Sequence, residues 1–206
     1  MEHLTVPANG AAFHVARTGK GPPLLLLHGW PEFWLTWEPV MARLADRYTV
    51  FAPDLRGFGD SDKPIGPFGP DQHATDMLAL LNALGLSKAW AHRKNAFDDV
   101  LETFTDNFLK PGNLAGGFAH YRASHEGRIR MMKGEAPQLA PIDVPACIRW
   151  AEHDPLFPYA WTDRLHETFS DLDLARFPGV GHFPHREDPD RATAEIAAFF
   201  TRIGHG

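Results

Sequence analysis

Four consecutive leucines, Leu24 to Leu27, follow Pro22-Pro23 and stop at His28-Gly29-Trp30-Pro31. A run this short, wholly apolar and fenced by turn residues suits a strand buried on both faces. Strands of that kind belong to parallel sheets covered by helices on either side. The rest of the chain must then supply the helices and the neighbouring strands. Tyr48 to Phe51, ending at Pro53-Asp54, reads as a second such strand. Ala146 to Ala151, entered through Pro145 and ended by Asp154-Pro155, reads as another, and Leu174 to Phe177 as the last, running into Gly179-Val180-Gly181-His182. Between them apolar residues recur at helical spacing. Trp37, Val40, Met41 and Leu44 form one face, with Thr36 as its cap and Pro39 in the first turn. Ala74, Met77, Leu78 and Leu81 form a second, with Asp71 as cap and Gly85 closing it. Trp161, Leu165 and Phe169 form a third. Ala192, Ile196, Phe199, Phe200 and Ile203 follow Asp188-Pro189 as the last. Ala11 to Arg17 alternates loosely and is predicted to be an edge strand, and 98–109 is predicted to be an amphipathic helix with Val100, Leu101, Phe104 and Phe108 on one face. Strands alternating with helices of this length predict a mostly parallel, doubly wound α/β sheet.

A length of 206 residues fits one domain, or one with a small insert. The formal net charge of −6 argues against nucleic acid or an anionic lipid surface as a partner. Cys147 is the sole cysteine, so the chain holds no internal disulfide and a reducing compartment is expected. Its place in the middle of a strand predicts a buried, inert thiol. No apolar run approaches the roughly 20 residues of a spanning helix, and the N-terminus lacks the pattern of a signal peptide. The expectation is a cytoplasmic protein without membrane partners.

Chemistry in open α/β sheets gathers just past the carboxyl ends of the strands. Four predicted strand ends carry polar residues: His28, Asp54, Asp154 and His182. Asp154 and His182 each close a strand. A carboxylate in that position holds an imidazole in one tautomer, stabilises its protonated form and lets it act as a general base. His182 with His185, or His120 with His125, lacks the carboxylate or cysteine company of known metal sites, so no metal is expected. Arg128, Arg130 and Lys133 read as a solvated face. Trp30, Phe33, Trp34 and Tyr121 would line an apolar pocket for a small ligand.

Four motifs together carry a resemblance: His28-Gly29-Trp30-Pro31-Glu32, Asp54-Leu55-Arg56-Gly57-Phe58-Gly59-Asp60-Ser61, Glu152-His153-Asp154 and Gly181-His182. In this order they resemble the α/β-hydrolase superfamily, in particular its epoxide hydrolase and haloacetate dehalogenase branch. The stretch from Pro111 to Ala123 resembles the end of that branch's helical cap. The resemblance implies an α/β-hydrolase fold over nearly the whole chain, divided into core at 1–92, a cap remnant at 93–135 and core again at 136–206. It implies Asp154 as the acid of a triad and His182 as the base that activates water. Within the motif of His28 and Gly29, the N–H of Trp30 would be an oxyanion donor, and Tyr121 would reach the substrate from the cap. Asp54 to Ser61 would be a shaped loop. The implied reaction is water addition to an epoxide, or displacement of halide from a small organic acid, with no cofactor and with a small apolar or halogenated substrate.

One part of the family pattern is missing. Its mechanism needs a nucleophile on a sharp strand-to-helix turn, written in sequence as a small residue, any residue, the nucleophile, any residue and glycine. The chain has no such pentapeptide centred on Ser, Asp or Cys, and Asn95, near the expected position, has no glycine after it. The join lies between about Lys88 and Phe97 and implies an internal deletion that removes the elbow, central strands and part of the cap. The expected consequences are impaired turnover and an exposed sheet edge. The strand at 146–151 would then pair with the one at 24–27, or the chain would pair with a second copy.

Overall fold

The computed structural model describes residues 1–66, 68–86, 91–92, 103, 106–107, 109–135 and 140–204. Most of the expected join between Lys88 and Phe97, Asn95 within it, and most of the predicted 98–109 helix lie outside the described residues. The described residues divide into two compact units, one of those up to residue 135 and one of those from 140 to 204.

The first unit is built on a five-stranded sheet. Its strands are β1 (Glu2–Ala8), β2 (Ala11–Thr18), β3 (Pro23–Leu26), β4 (Thr49–Pro53) and β5 (Ala91–His92), in the spatial order β1-β2-β4-β3-β5. The sheet is mixed. β1 and β2 form an antiparallel hairpin and β2 runs antiparallel to β4, while β3 lies parallel to both β4 and β5. The chain winds outward from β3 to β4 and then returns to β5 on the other side of β3. That reversal places a topological switch point at the carboxyl end of β3, where His28 stands.

Alternation along the strands buries both faces. Phe13, Val15, Leu25 and Phe51 pack on one face with Met77 and Leu80 of the helix Pro70–Ala83. Leu24, Leu26, Val50 and Ala52, pointing the other way, are also fully buried. Each of the leucine, valine, phenylalanine and methionine side chains contributes roughly 1.5–3 kcal/mol by leaving water. The leucine run is therefore a two-faced buried strand, as its composition requires. Ala11 to Arg17 is interior rather than the predicted edge. It pairs on both sides, because the Asn9-Gly10 turn folds β1 back along it. Both turn residues have positive φ, 44° and 72°, and Ala8 lies opposite Ala11. This is the two-residue hairpin that Asn-Gly favours.

The helices follow the predicted periods with shifted faces. Trp37, Val40, Met41 and Leu44 are buried, but a 3-10 turn, Trp34–Trp37, precedes the helix Glu38–Leu44, so Thr36 is buried in that turn instead of capping. In Pro70–Ala83 the inward residues are Asp76, Met77 and Leu80. Leu78 and Ala74 face outward, and Gly69 stands where Asp71 was expected as cap. The face rotates because a buried ion pair claims a place on it. Arg56 Nε donates to Asp76 Oδ2 at 2.6 Å, Arg56 also donates to Asp76 Oδ1 at 2.7 Å, and Asn9 and Gln72 donate to the same carboxylate. Gly85 closes the helix as predicted. Its φ is 70°, and the Leu86 N–H returns to the Leu81 carbonyl at 2.9 Å.

The helices Asn113–Ala123 and His125–Met132 follow in this unit. Gly116 lies against the backbone of Gly57, so closely that a Cβ at Gly116 would collide with it. The basic residues Arg128, Arg130 and Lys133 are exposed, as a solvated face requires.

The second unit has two parallel strands, β6 (Ala146–Ala151) and β7 (Leu172–Phe177), and a helix, Pro189–Arg202. Asp188 caps that helix by accepting the Arg191 N–H at 3.0 Å. Ala151, Phe177, Val180 and Ala192 form its core cluster. Most of β6 is only half-buried, Cys147 included, where sequence predicts a fully buried strand. One face of β6 turns to the helix, and its central position holds Arg149, which bridges Asp173 and Glu195. Burial raises the Cys147 thiol above its ordinary range, which keeps it protonated. Trp161, Leu165 and Phe169 do not share a helix face. Trp161 is exposed in a 3-10 turn, Tyr159–Thr162, and Leu165 opens a separate single turn, Leu165–Thr168. The expected pairing of 146–151 with 24–27 is replaced as well. Leu25 and Leu26 pair with Ala91 and His92, and every residue of β6 pairs with β7. Among the described residues no helix is long and apolar enough to cross a membrane.

Three tests follow from this packing. Asp76→Ala leaves the Arg56 guanidinium buried without its counter-charge, and urea denaturation should show a loss of about 3–5 kcal/mol. Burial alone would raise the Asp76 carboxyl, but the hydrogen bonds from Arg56, Asn9 and Gln72 outweigh it and hold the group below its ordinary value. Its stabilising effect is therefore complete above the unfolded value of about 3.9 and is lost as pH falls through the lower folded value. Asp76→Asn should flatten that acid limb in pH-dependent unfolding. Gly116→Ala should lower stability by about 1–3 kcal/mol through overpacking against Gly57, read as a drop in melting temperature.

Candidate active site

The sequence-predicted groups fall in both units, and each unit is described by itself. In the second unit, β6 ends two residues before His153 and β7 ends five residues before His182, so the loops that follow carry the candidate pair. His182 Nδ1 lies 2.9 Å from Asp154 Oδ2. The Asp154 side chain is wholly buried and that of His182 is 19% exposed. The other oxygen, Asp154 Oδ1, accepts the N–H groups of Leu156 and Phe157 at 2.8 and 3.0 Å. Asp-Pro thus makes the turn that its sequence suggests, and the same carboxylate is left with one oxygen for the imidazole. His182 donates through Nδ1, which leaves Nε2 with its lone pair, the tautomer needed by a general base. Phe157 and Phe183 flank the ring, with centroids 5.4 and 4.7 Å away.

In the first unit the loop after β3 is held from within. His28 is buried, donates from Nδ1 to the Gly29 carbonyl at 2.7 Å, and accepts the Leu55 N–H on Nε2 at 2.9 Å. Both ring nitrogens are engaged by backbone, so His28 fastens the end of β3 to the loop after β4. The Glu32 carboxylate accepts the Gly29 N–H at 2.8 Å, which turns the chain back on itself. Trp30, joined to Pro31 by a cis peptide bond, stands beside two aromatic residues of the helix Asn113–Ala123, with centroids 5.5 Å from Tyr121 and 5.9 Å from Phe118. Tyr121 also carries Arg128 over its ring at 4.8 Å. Among the described residues, the ring contacts of Trp34 are to Phe33, His3 and His14.

The loop 54–61 is shaped by Asp54. Burial would raise this carboxyl, but the His14 hydrogen bond and the backbone N–H groups of Trp34 and Asp60 outweigh burial and hold it below its ordinary range. Ser61 adds a bond to the Asp54 carbonyl and accepts the His14 N–H. The sequence reading missed His14 and Glu32 as partners in these loops. Glu32 was marked as the last residue of the His28 motif, whereas His14, in the middle of β2, carried no such mark.

Residues 22–92 match the family described as alpha/beta hydrolase fold. A soluble epoxide hydrolase from Corynebacterium sp. (strain C12) is 46% identical over 88 residues, which cover 43% of this chain and 31% of that protein. Epoxide hydrolase 2 of Siraitia grosvenorii is 42% identical over 93 residues, covering 44% and 29%. A crystal structure of an epoxide hydrolase mutant from Bacillus megaterium superposes with a TM-score of 0.84 over 96% of this chain and 100% of that one, at 16% identity. An epoxide hydrolase from Vigna radiata gives 0.82, covering 98% of each chain at 18% identity. The chain has the α/β-hydrolase fold, and over less than half of its length its sequence is similar to epoxide hydrolases. It matches about a third of the length of the curated relatives named here.

Asp154→Ala removes the acceptor for two backbone N–H groups and for His182. The expected cost is about 1–3 kcal/mol per donor left buried and unpaired, measured by urea denaturation. His182→Ala, which leaves the turn intact, should cost less in the same assay.

Proposed function

We propose that this chain is a hydrolase of the epoxide hydrolase type, adding water across an epoxide, with turnover impaired by the missing nucleophile. The observation that carries the reading is the Asp154–His182 pair, a buried carboxylate 2.9 Å from an imidazole whose other nitrogen is left to act as a base. His182 takes a proton from water and Asp154 holds the resulting imidazolium. The water oxygen bonds to an epoxide carbon, the carbon–oxygen bond breaks, and the alkoxide collects a proton to give a diol. The resemblance assigns Tyr121 as donor to the opening oxygen and the N–H of Trp30 as an oxyanion donor. Without the covalent ester step, turnover falls by about 10⁴–10⁶ relative to an intact triad. Displacement of halide from a small halo-acid by the same pair is the related reaction within this reading.

A second reading is a non-catalytic small-molecule binder. It is favoured by the aromatic group of Trp30, Phe118 and Tyr121, of which Phe118 and Tyr121 are 42% and 37% exposed.

The deciding experiment incubates purified, monodisperse protein with a styrene-oxide-type epoxide and, separately, with chloroacetate, and follows diol and chloride release. Slow diol formation that disappears in His182→Ala is expected. Chloride release with no diol would shift the reading to the halo-acid. No product from well-folded protein would overturn the enzyme and leave the binder or a relic without activity.

A further inference from the structure

The Asn9-Gly10 turn brings together two histidines that the catalytic reading does not use. His3 on β1 and His14 on β2 share one face of the hairpin as diagonal neighbours, since Thr5 lies opposite His14 and Ala16 opposite His3. His3 Nδ1 is 2.9 Å from His14 Nε2, and the ring planes are 13° apart. Behind His14, its Nδ1 is 2.8 Å from Asp54 Oδ2, a carboxylate with no exposed side-chain surface. The carboxylate accepts a proton from Nδ1, so the Nε2 lone pair of His14 points outward, to His3. Trp34 packs edge-on against both rings, with centroids 4.9 Å from His3 and 6.1 Å from His14.

We propose that His3 and His14 form a surface site for a zinc-class divalent ion, with one nitrogen from each ring as ligand and Asp54 as the carboxylate that orients His14. A histidine whose inner nitrogen is fixed by a carboxylate, and whose outer nitrogen is thereby aimed and made more basic, is the arrangement that supports metal ligation. Zinc–nitrogen bonds of 2.0–2.1 Å at the tetrahedral angle separate two ligand nitrogens by about 3.3 Å, close to the spacing already present. The two nitrogens now meet head-on through one proton. The ion takes the place of that proton, which passes to solvent, and the exposed His3 ring turns while His14 stays held. Water fills the remaining positions.

The inner side of His14 is not the site. His14, Asp54 and Asp60 offer ligand atoms within 4.8 Å of one another. The Asp54 oxygens, however, already accept the N–H groups of Trp34 and Asp60 as well as His14, and the Lys110 ammonium lies 2.6 Å from Asp60 Oδ1. A cation there would displace those bonds and face that ammonium. The sequence reading weighed His182 with His185 and His120 with His125 for metal and expected none. His3 and His14 become neighbours only through the hairpin register.

The test is isothermal titration of the full chain with zinc chloride, comparing the parent with His3→Ala and with His166→Ala, an exposed histidine elsewhere in the chain. His3 is exposed on its strand, so its replacement leaves the fold intact, which far-UV circular dichroism checks. Expected is one zinc site in the parent that loses at least about tenfold in affinity in His3→Ala, the scale on which imidazole sites respond to loss of a supporting group. No zinc uptake by the parent, an unchanged titration in His3→Ala, or an equal loss in His166→Ala would overturn the proposal.

Discussion

A single buried carboxylate, Asp54, ties together three segments of the first unit. It accepts N–H groups from Trp34 in the loop after β3 and from Asp60 in its own loop, and it holds His14 on β2. Burying a charge of this kind is costly unless hydrogen bonds replace its water, and here three do. The loops beside the switch point of the sheet are therefore not free to drift. Gly59 sits so close to this carboxylate that any side chain there would overlap it, which accounts for the glycine at that position.

The second unit uses the same physical device for a different end. Asp154 is also wholly buried and also gives part of its accepting capacity to backbone N–H groups, those of Leu156 and Phe157. Its remaining oxygen meets His182. In both units a carboxylate locked by its own loop aims an imidazole outward. In one case that imidazole is the base of the proposed hydrolysis, and in the other it is the inner ligand of the proposed ion site. What differs is what lies beyond the outer nitrogen.

Much of this was legible in the sequence because it depends on local pattern. The buried character of Leu24–Leu26 follows from an unbroken apolar run, and Gly85 and Asp188 mark helix ends by their own conformational and capping properties. The pairing of Asp154 with His182 was readable because each residue closes a strand and parallel strands bring their carboxyl ends to one side. The parts that went unread depend on contacts between distant segments. The helix Pro70–Ala83 turns Leu78 outward because Asp76 must reach Arg56, and no periodicity count contains that ion pair. Ala11 to Arg17 looked like an edge because its second neighbour is made by the Asn9-Gly10 turn, a signal that was present and outweighed by loose alternation.

The sequence by itself determined the class of fold, the strand ends that carry polar residues and the absence of a nucleophile pentapeptide, since these rest on burial, local backbone preference and residue identity. Only the tertiary structure decided that β3 pairs with β5 and β6 with β7, that His28 fastens two loops instead of facing outward, and that His3, His14 and Asp54 stand in line. Those outcomes turn on strand register and on which buried polar group finds which partner. Both are settled by the whole chain packing at once, because a hydrogen bond between residues far apart in sequence leaves no mark on either residue alone.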